Sequence, residues 1–251
     1  MGDPFPNELC AGQWNSIRTG KELIFCGGDR MLEWEPGNGA YRLWRFDNTY
    51  SQGDPLPGGP IAEGEWGSIR AGHELVYLFE DRLLDWEPSS GRFRVWQFDR
   101  NGGGDPLPSV TCEGEWGSIR WGHKLIYLDA DNVLDFEAST GKFRLWNYDR
   151  YNPSDAFPGA PSIEGEWSSI RTGHELIYLS KNRLLDWEPT SGLYRVWDVA
   201  RSGSDVLPGA PLSEGEWGSI RGDKRLIRVA EEQCLEWEPA TGQYRVWRID
   251  V

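Results

Sequence analysis

Pairs of carboxylates recur at a fixed place along this chain, and Asp85 with Glu87 is the example in the second of five similar segments. Residues two apart on a β-strand point to the same face, so such a pair could act as catalytic acid and base. An active site needs only one such pair in the whole chain, however, whereas cross-strand pairing needs charged residues in every sheet. Because the pair occurs in all five segments, the pattern favours a structural role.

Three histidines, His73, His123 and His174, occupy equivalent turns in three segments, and Lys21 and Lys224 take that place in the other two. Equivalent turns of a repeat fold lie one unit apart, which is too far for three side chains to share a metal ion. We therefore predict solvated turn residues there. The sequence contains no nucleophile elbow, zinc-protease motif, phosphate-binding loop or dinucleotide fingerprint. We expect no enzyme activity, no metal and no cofactor.

The five segments are copies of one unit of about 50 residues. The unit is marked by Gly64–Arg70, which reads Gly-Glu-Trp-Gly-Ser-Ile-Arg, and its tryptophan recurs at positions 14, 66, 116, 167 and 217. Repetition at this period indicates a propeller or a solenoid. A closed ring also explains why the terminal units resemble the internal ones, because a solenoid needs polar end caps.

Each unit predicts four antiparallel strands, rich in β-branched and aromatic residues and separated by Gly and Pro. No stretch has a helical period. Four strands per unit, five units and no helix predict an all-β, five-bladed β-propeller. In the second unit the predicted strands are Glu65–Arg70, Glu74–Leu78, Leu83–Glu87 and Arg92–Asp99. The chain is then a single domain, 1–251, with repeats at about 2–52, 53–103, 104–153, 154–203 and 204–251.

The linker sequence Gly53–Pro57 has a copy at Gly2–Pro6, near the start of the chain. The sequence ends just after the last predicted strand of the fifth unit. The first copy therefore matches a linker that would follow Val251 in a circular chain. We expect the termini to meet, with every blade built from its own unit and no strand exchanged between the chain ends.

A four-residue hairpin loop, Pro88–Gly91, fixes the pairing of the last two strands of the unit. It sets Asp85 opposite Arg94 and Trp86 opposite Phe93. Cross-strand pairs of these kinds contribute roughly 0.2–1 kcal/mol each. The same register predicts five carboxylate–arginine pairs: Glu33 with Arg42, Asp85 with Arg94, Asp135 with Arg144, Asp186 with Arg195, and Glu236 with Arg245.

Strand alternation places the linkers and the turns after each second strand at one end of the predicted propeller. That rim would collect tryptophan faces, carboxylates, amides and guanidinium groups in every blade. Aromatic faces and hydrogen-bonding groups of this kind bind sugars, and weak repeated sites gain about 10²–10⁴ in avidity. The predicted ligand-binding residues are Glu65, Trp66, Glu115, Trp116, Glu166, Trp167, Glu216, Trp217, Asp54, Asp105, Asp155, Asp205, Arg30, Arg82 and Arg183.

These residues also have structural interpretations. Each tryptophan can pack between neighbouring blades, which the pattern favours over stacking on a ligand. Each aspartate can cap a turn, and for the Asp and Arg residues the two interpretations are equally supported. The segment Asp99–Asp105 has oxygen-bearing side chains at alternate places, as calcium loops do. The other units do not keep them, which favours a flexible linker.

The formal net charge of −14 bears on the class of partner. Nucleic acid and anionic membranes repel such a surface, so we expect neither nucleic-acid binding nor membrane insertion. The segment Met1–Pro6 lacks the basic and apolar regions of a signal peptide. We expect a monomer that is cytoplasmic or released without a conventional signal peptide. The four cysteines have no metal-type spacing and are expected to be free thiols.

Three features of the units carry a resemblance to a known family. They are the Gly-x-Trp opening, the Leu-Ile/Val-Tyr strand that follows, and a tryptophan in the fourth strand. In these features nearly the whole chain resembles the tachylectin/tectonin type of β-propeller lectin. The resemblance implies sites between blades for N-acetylated sugars such as N-acetylglucosamine, and a part in innate defence or cell agglutination.

The sequence thus predicts a lectin with several near-equivalent sites, one per blade or blade interface, for neutral or N-acetylated sugars on glycans or glycoconjugates. Two alternatives stay open: a scaffold for basic protein partners, and a glycosidase or lyase in the central funnel. An enzyme should carry its unusual residues in one blade. Unit three has Trp121, Phe136 and Ala138, and unit five has Arg228, but these add no acid–base pair.

Overall fold

A computed structural model describes residues 2–51, 53–79, 81–101, 103–129 and 131–250. Within these residues the chain forms twenty β-strands and no helix. The strands make five four-stranded antiparallel sheets, which are the blades of a five-bladed β-propeller. The predicted fold class is therefore confirmed. The described residues include no helix that could span a membrane.

In blades one to four the strands run outward from the centre in chain order, and in blade five the first strand of the chain is the outermost. Blade one contains β2 (Glu22–Phe25), β3 (Arg30–Glu35), β4 (Ala40–Arg45) and β5 (Ala62–Glu65); blade two contains β6 (Glu74–Phe79), β7 (Arg82–Glu87), β8 (Arg92–Gln97) and β9 (Ser109–Glu115). Blade three contains β10 (His123–Tyr127), β11 (Asn132–Glu137), β12 (Lys142–Asn147) and β13 (Ile163–Glu166); blade four contains β14 (Glu175–Tyr178), β15 (Arg183–Glu188), β16 (Leu193–Asp198) and β17 (Ser213–Glu216). Blade five contains β18 (Arg225–Ala230), β19 (Gln233–Glu238), β20 (Gln243–Arg248) and β1 (Asn7–Gln13).

The outermost strand of each blade comes from the following sequence repeat. In blade one, β5 pairs with β4, with Ala40 opposite Glu65. The predicted first strand, Glu65–Arg70, is therefore wrong in extent and in partner. The strand ends at Glu65, and residues 66–70 form the turn that carries the chain to the next blade. The reason is the long linker, which returns the chain to the outer edge of the sheet it has just left.

The ring closes by strand exchange between the chain ends. The first strand, β1, pairs with β20 of blade five, with Asn7 opposite Arg248 and Gln13 opposite Gln243. The expectation that each blade is built from its own unit is wrong. Without β1 the backbone groups of β20 would face solvent as an open sheet edge. The expectation that the ends meet is confirmed, because the Asp250 backbone N–H donates to the Pro4 carbonyl oxygen at 3.0 Å.

The hairpins have the predicted register. In blade two Asp85 faces Arg94 and Trp86 faces Phe93, and the other four carboxylate–arginine pairs are also directly opposite each other. Gly91 ends the hairpin loop at a φ of +76°, which favours glycine. Its carbonyl oxygen accepts from the Trp116 N–H at 2.9 Å, so the loop also fixes the end of the outer strand.

Apolar side chains pack in five clusters, each between two neighbouring blades. Trp86 and Phe93 of blade two, for example, pack with Val133 and Trp146 of blade three. The inner strands also contact each other around the ring, from β2 through β6, β10 and β14 to β18 and back to β2. The core is thus continuous around the central channel, and each blade depends on both of its neighbours.

The strand exchange predicts the effect of a methyl group at Gly12 in β1. A Cβ atom there would lie 2.7 Å from Tyr244 Cζ in blade five, as one at Gly64 would lie 2.8 Å from Tyr41 Cζ in blade one. We expect Gly12→Ala and Gly64→Ala to lower the free energy of unfolding by about 1–3 kcal/mol each through overpacking, measured by urea denaturation. Gly67→Ala is the control, because nothing lies within 4 Å of a Cβ at that position. A neutral Gly12→Ala beside a destabilising Gly64→Ala would contradict the closure through β1.

Candidate functional site

The predicted tryptophans and linker aspartates are brought together in pairs, one pair at each blade interface. Trp66 is 6 % exposed, its ring stacks on Tyr41 at 4.3 Å, and its Nε1–H donates to Asp105 Oδ1 at 2.9 Å. The same oxygen accepts from the Leu107 N–H and so caps the linker turn. The equivalent pairs are Trp14–Asp54, Trp116–Asp155, Trp167–Asp205 and Trp217–Asp3. The geometry supports the packing and capping interpretations of these residues.

The predicted arginines lie at the other end of the sheet from the predicted glutamates. Arg82 faces Gln97, whereas Glu87 faces Arg92 and Arg92 faces Glu115. The prediction that one rim collects all of these residues is therefore wrong. Each outer strand begins at the linker and runs away from it, so the glutamate at its end reaches the opposite side.

Arg30, Arg82 and Arg183 pair with carboxylates or carbonyl groups near the start of the linkers. Arg30 is 8 % exposed, donates from Nε to the Arg100 carbonyl oxygen of the next blade, and forms an ion pair with Asp29 at 2.5 Å. Arg82 pairs with Asp81, and Arg183 pairs with Asp198. These guanidinium groups hold the turns in place, and Arg30 also joins two blades.

The predicted glutamates lie in a second set of features, which we call the polar clefts. A polar cleft is the hollow on the hairpin end of a blade, on the face turned toward the preceding blade. In blade two it has a volume of about 660 Å³, and its charged and polar lining is Ser68, His73, Asp85, Glu87, Arg92, Arg94, Glu113 and Glu115. The equivalent cleft of blade three includes Glu166 and measures about 530 Å³. That of blade five measures about 440 Å³. Glu65 and Glu216 end the outer strands of blades one and four in the same way.

A buried carboxylate forms the floor of each cleft. Asp85 is 1 % exposed, and its oxygens lie 2.5 Å from His73 Nδ1 and 2.7 Å from Arg94 Nη2. Blades three and four repeat this arrangement around Asp135 and Asp186. An unpaired carboxylate this deep in the fold would be strongly destabilising, so the imidazole and guanidinium groups are needed to hold it.

The prediction that His73, His123 and His174 are solvated turn residues is wrong. Their side chains are only 13 to 18 % exposed, because the turn before each inner strand folds the ring onto the sheet above the carboxylate. With Nδ1 bound to the carboxylate, Nε2 is the ring nitrogen left for a ligand. The separate positions keep the three rings from sharing a metal, and the described residues contain no cluster of three or more potential metal ligands.

Blades one and five hold the carboxylate differently. Lys21 replaces the histidine beside Glu33 at 3.2 Å, and Glu33 also accepts from Trp44 Nε1 at 2.9 Å. In blade five Glu236 is bound in the same way by Lys224, Arg245 and Trp247. The longer glutamate reaches the indole N–H. The sequence contains a signal for this difference, because the two units with lysine have glutamate as the carboxylate and the three units with histidine have aspartate.

The clefts carry ionised glutamates. Hydrogen bonds from the Ser90 and Ser89 hydroxyls lower the pKa of Glu87, and those from Thr140 and Ser139 lower the pKa of Glu137. In blade two, four carboxylates share the cleft with two guanidinium groups and one imidazole. The cleft of blade two can therefore accept hydrogen bonds from several ligand hydroxyl groups while its arginines and histidine donate others.

Comparisons with known proteins show the fold alone. No protein-family model matches the chain, and no curated protein matches it. Among solved structures, the chain is similar to the glutaminyl cyclase of Myxococcus xanthus, with a TM-score of 0.55 and 12 % identity over 97 % of both chains. It is also similar to a putative 6-phosphogluconolactonase of Bacteroides fragilis, with a TM-score of 0.45 and 13 % identity over 91 % of this chain and 66 % of that one. A periplasmic gluconolactonase of Pseudomonas aeruginosa gives a TM-score of 0.44 and 14 % identity over 84 % of this chain and 60 % of that one. At 12 % identity the likeness to the glutaminyl cyclase is one of fold alone, and it carries no activity to this chain.

The two forms of the carboxylate site, His–Asp and Lys–Glu, predict that substitutions at these two positions of blade three are energetically coupled. His123→Lys and Asp135→Glu should each lower the free energy of unfolding by about 1–3 kcal/mol, because each disturbs a buried charge network. The double variant recreates the Lys–Glu pair of blades one and five, so its loss should be smaller than the sum of the single losses by about 0.5–3 kcal/mol. Urea denaturation of the four proteins checks this. Additive losses would show that the two positions do not act as a pair.

The lowered pKa of Glu87 predicts a pH-dependent effect of Ser90→Ala. A carboxyl group whose pKa falls on folding stabilises the protein above its ordinary pKa, 4.5 here, and that stabilisation is lost as the pH falls through the lowered value. Ser90→Ala should cost about 0.5–1.5 kcal/mol at neutral pH and less in acid, when Glu87 is protonated. Thr111→Val is the control, because the Thr111 hydroxyl donates to the Val95 carbonyl, which does not titrate. Equal pH dependence of the two variants would contradict the prediction.

Proposed function

We propose that the protein is a multivalent lectin whose sugar sites are the polar clefts. The observation that carries this proposal is the repeated chemistry on the five blades. Each blade holds a buried carboxylate beside a guanidinium group and an imidazole or ammonium group. In blades one to four an exposed glutamate ends the outer strand, and in blade five Gln13 takes its place. The carboxylate at the floor of each site is buried, and the upper walls of the site are open to solvent.

A sugar ring fits this chemistry because it carries adjacent hydroxyl groups that both donate and accept. In blade two, Glu113 and Glu115 would accept from hydroxyl groups, while Arg92 and the Nε2 atom of His73 would serve the remaining oxygens. The cleft of about 660 Å³ is in the range of small-molecule sites. Such sites are weak one at a time, and several on one chain gain avidity on a glycan-bearing surface.

The position of the clefts agrees with the resemblance to tachylectin/tectonin-type lectins, which implies sites between blades. Of the ligand-binding residues predicted from sequence, Glu65, Glu115, Glu166 and Glu216 remain in the proposed sites. The buried tryptophans and the linker aspartates support the blade interfaces instead, and the arginines at the linker end support the turns. Glycans or glycoconjugates remain the proposed partners, and N-acetylated sugars are the first to try.

The two other functions remain alternatives. An acidic protein scaffold would bind basic partners in a manner that free sugar does not inhibit. An enzyme would use one blade or the central channel, whereas the Asp–His pair occurs in three blades. Among the described residues, no serine or threonine hydroxyl and no cysteine thiol is hydrogen-bonded to these histidines.

The lectin proposal predicts several bound sugars per chain, and it predicts that substitutions in one cleft remove one of these sites. A glycan array selects the sugar, and isothermal titration with that sugar should give more than one site per chain. Replacing both Glu113 and Glu115 by Gln removes two acceptors from the cleft of blade two only. We expect the number of sites to fall by one and the affinity of the others to stay unchanged.

Glu232→Gln is the matched control, because Glu232 is exposed and pairs with Lys181 far from any cleft. It should leave both stoichiometry and affinity unchanged. An array without hits, together with no agglutination of cells, would overturn the proposal. A stoichiometry unaffected by the double variant would place the sugar sites elsewhere.

A further inference from the structure

A second cavity, unrelated to the polar clefts, runs along the axis of the propeller. The inner strands β2, β6, β10, β14 and β18 surround this central channel, which has a volume of about 640 Å³. Its wall is a ring of aliphatic side chains, one from each blade: Ile24, Val76, Ile126, Ile177 and Ile227. A cavity of this size and lining is suited to the apolar part of a small molecule.

One position on this channel breaks the five-fold pattern of the repeats. Four blades place an aromatic residue after the aliphatic ring, as with Tyr127 and Tyr178, but blade five places Arg228 there. The guanidinium group lies over the Tyr178 ring at 5.2 Å, and its Nη1 atom is 3.4 Å from Asp129 Oδ2. Arg228 thus reaches past blade four to a carboxylate of blade three.

Asp129 also has no counterpart in the other blades. The equivalent positions hold Gly27, Phe79, Ser180 and Ala230. Asp129 has a φ of +66°, and its carbonyl oxygen accepts from Arg201 Nη1 at 2.8 Å, which helps to hold the strained turn. The side chain is 39 % exposed and lines the channel, so the turn presents a carboxylate at the mouth of an apolar cavity.

The charges at this mouth limit what can enter. The charged residues that line the channel, within the described ranges, are Asp129, Arg228 and Glu231. A simple carboxylate would meet Arg228 but also two like charges, and a simple amine would meet Arg228 as a like charge. A molecule that carries both groups next to each other can pair its carboxylate with Arg228 and its ammonium with Asp129. Such a zwitterion gives each of these two partly exposed charges a further partner of opposite sign.

We propose that the central channel binds a free α-amino acid with an aliphatic side chain. The side chain lies against the ring of isoleucines and valine, the α-carboxylate accepts from the Arg228 guanidinium, and the α-ammonium donates to Asp129. The Tyr127 hydroxyl is a further donor for the carboxylate, since burial raises its pKa and keeps it protonated. The site is single because its two charged residues occur once, in contrast to the repeated clefts.

The test compares L-leucine with two derivatives that each lack one charge, using isothermal titration of the full chain. L-leucine should bind one molecule per chain, and both N-acetyl-L-leucine and L-leucinamide should bind at least about tenfold more weakly, because each leaves a charged partner unpaired. Arg228→Tyr should reduce L-leucine affinity by at least the same factor. That variant places at this position the tyrosine that three other blades have, so the fold should be kept, and circular dichroism checks this.

Two further variants separate charge from shape. Asp129→Asn keeps a residue that tolerates positive φ and should weaken L-leucine binding without weakening that of N-acetyl-L-leucine. Phe25 is the residue of blade one at the position equivalent to Arg228. Phe25→Tyr changes this position without adding charge and should leave L-leucine binding unchanged. No binding of L-leucine at about 10 mM, equal binding of the three probes, or full binding by Arg228→Tyr would each overturn the proposal. Sugar binding by the polar clefts would be unaffected by any of these results.

Discussion

The indole N–H at the end of each outer strand donates to the linker aspartate of the next blade, and this bond recurs at all five interfaces. It joins parts of the chain that are 38 to 40 residues apart, and at the closure it joins Trp217 to Asp3, 214 residues away. The ring stacks on an aromatic residue of its own blade at the same time, as Trp116 does on Phe93 at 4.0 Å. One tryptophan side chain thus lies at the end of the outer strand, packs against its own blade and holds the linker of the neighbouring blade.

Because every blade borrows its outer strand from the next repeat, no unit can complete a sheet alone. The last blade takes β1 from the other end of the chain, so the ring forms only when all five units are in place. This arrangement gives the third strand of every blade a hydrogen-bonded partner on its outer side and ties the stability of each blade to the whole. It also places the last residue of each borrowed strand, a glutamate in blades one to four and Gln13 in blade five, beside the hairpin of the preceding unit, where the polar clefts lie.

The propeller carries two kinds of polar site around its apolar core, the repeated polar clefts and the single central channel. The buried carboxylates of the clefts follow the repeat, with a His–Asp form in three blades and a Lys–Glu form in two. Their number suits a ligand that is itself displayed in many copies, such as a glycan surface. Arg228 and Asp129 break the repeat and face the single central channel, which suits one small molecule per chain. Repeated and unique residues therefore serve the two proposed sites separately.

The sequence by itself determined the number of blades, the strands of each hairpin and the pairing of Asp85 with Arg94, because these depend on the repeat period and on local turn chemistry. It also contained the His–Asp and Lys–Glu pairing. The tertiary structure decided which blade each outer strand joins, because the linker is long enough to reach either edge. It likewise decided that Trp66 is buried, that Arg82 lies far from Glu115, and that Arg228 meets Asp129. These contacts join residues of different repeats, and their distances depend on how the closed ring packs.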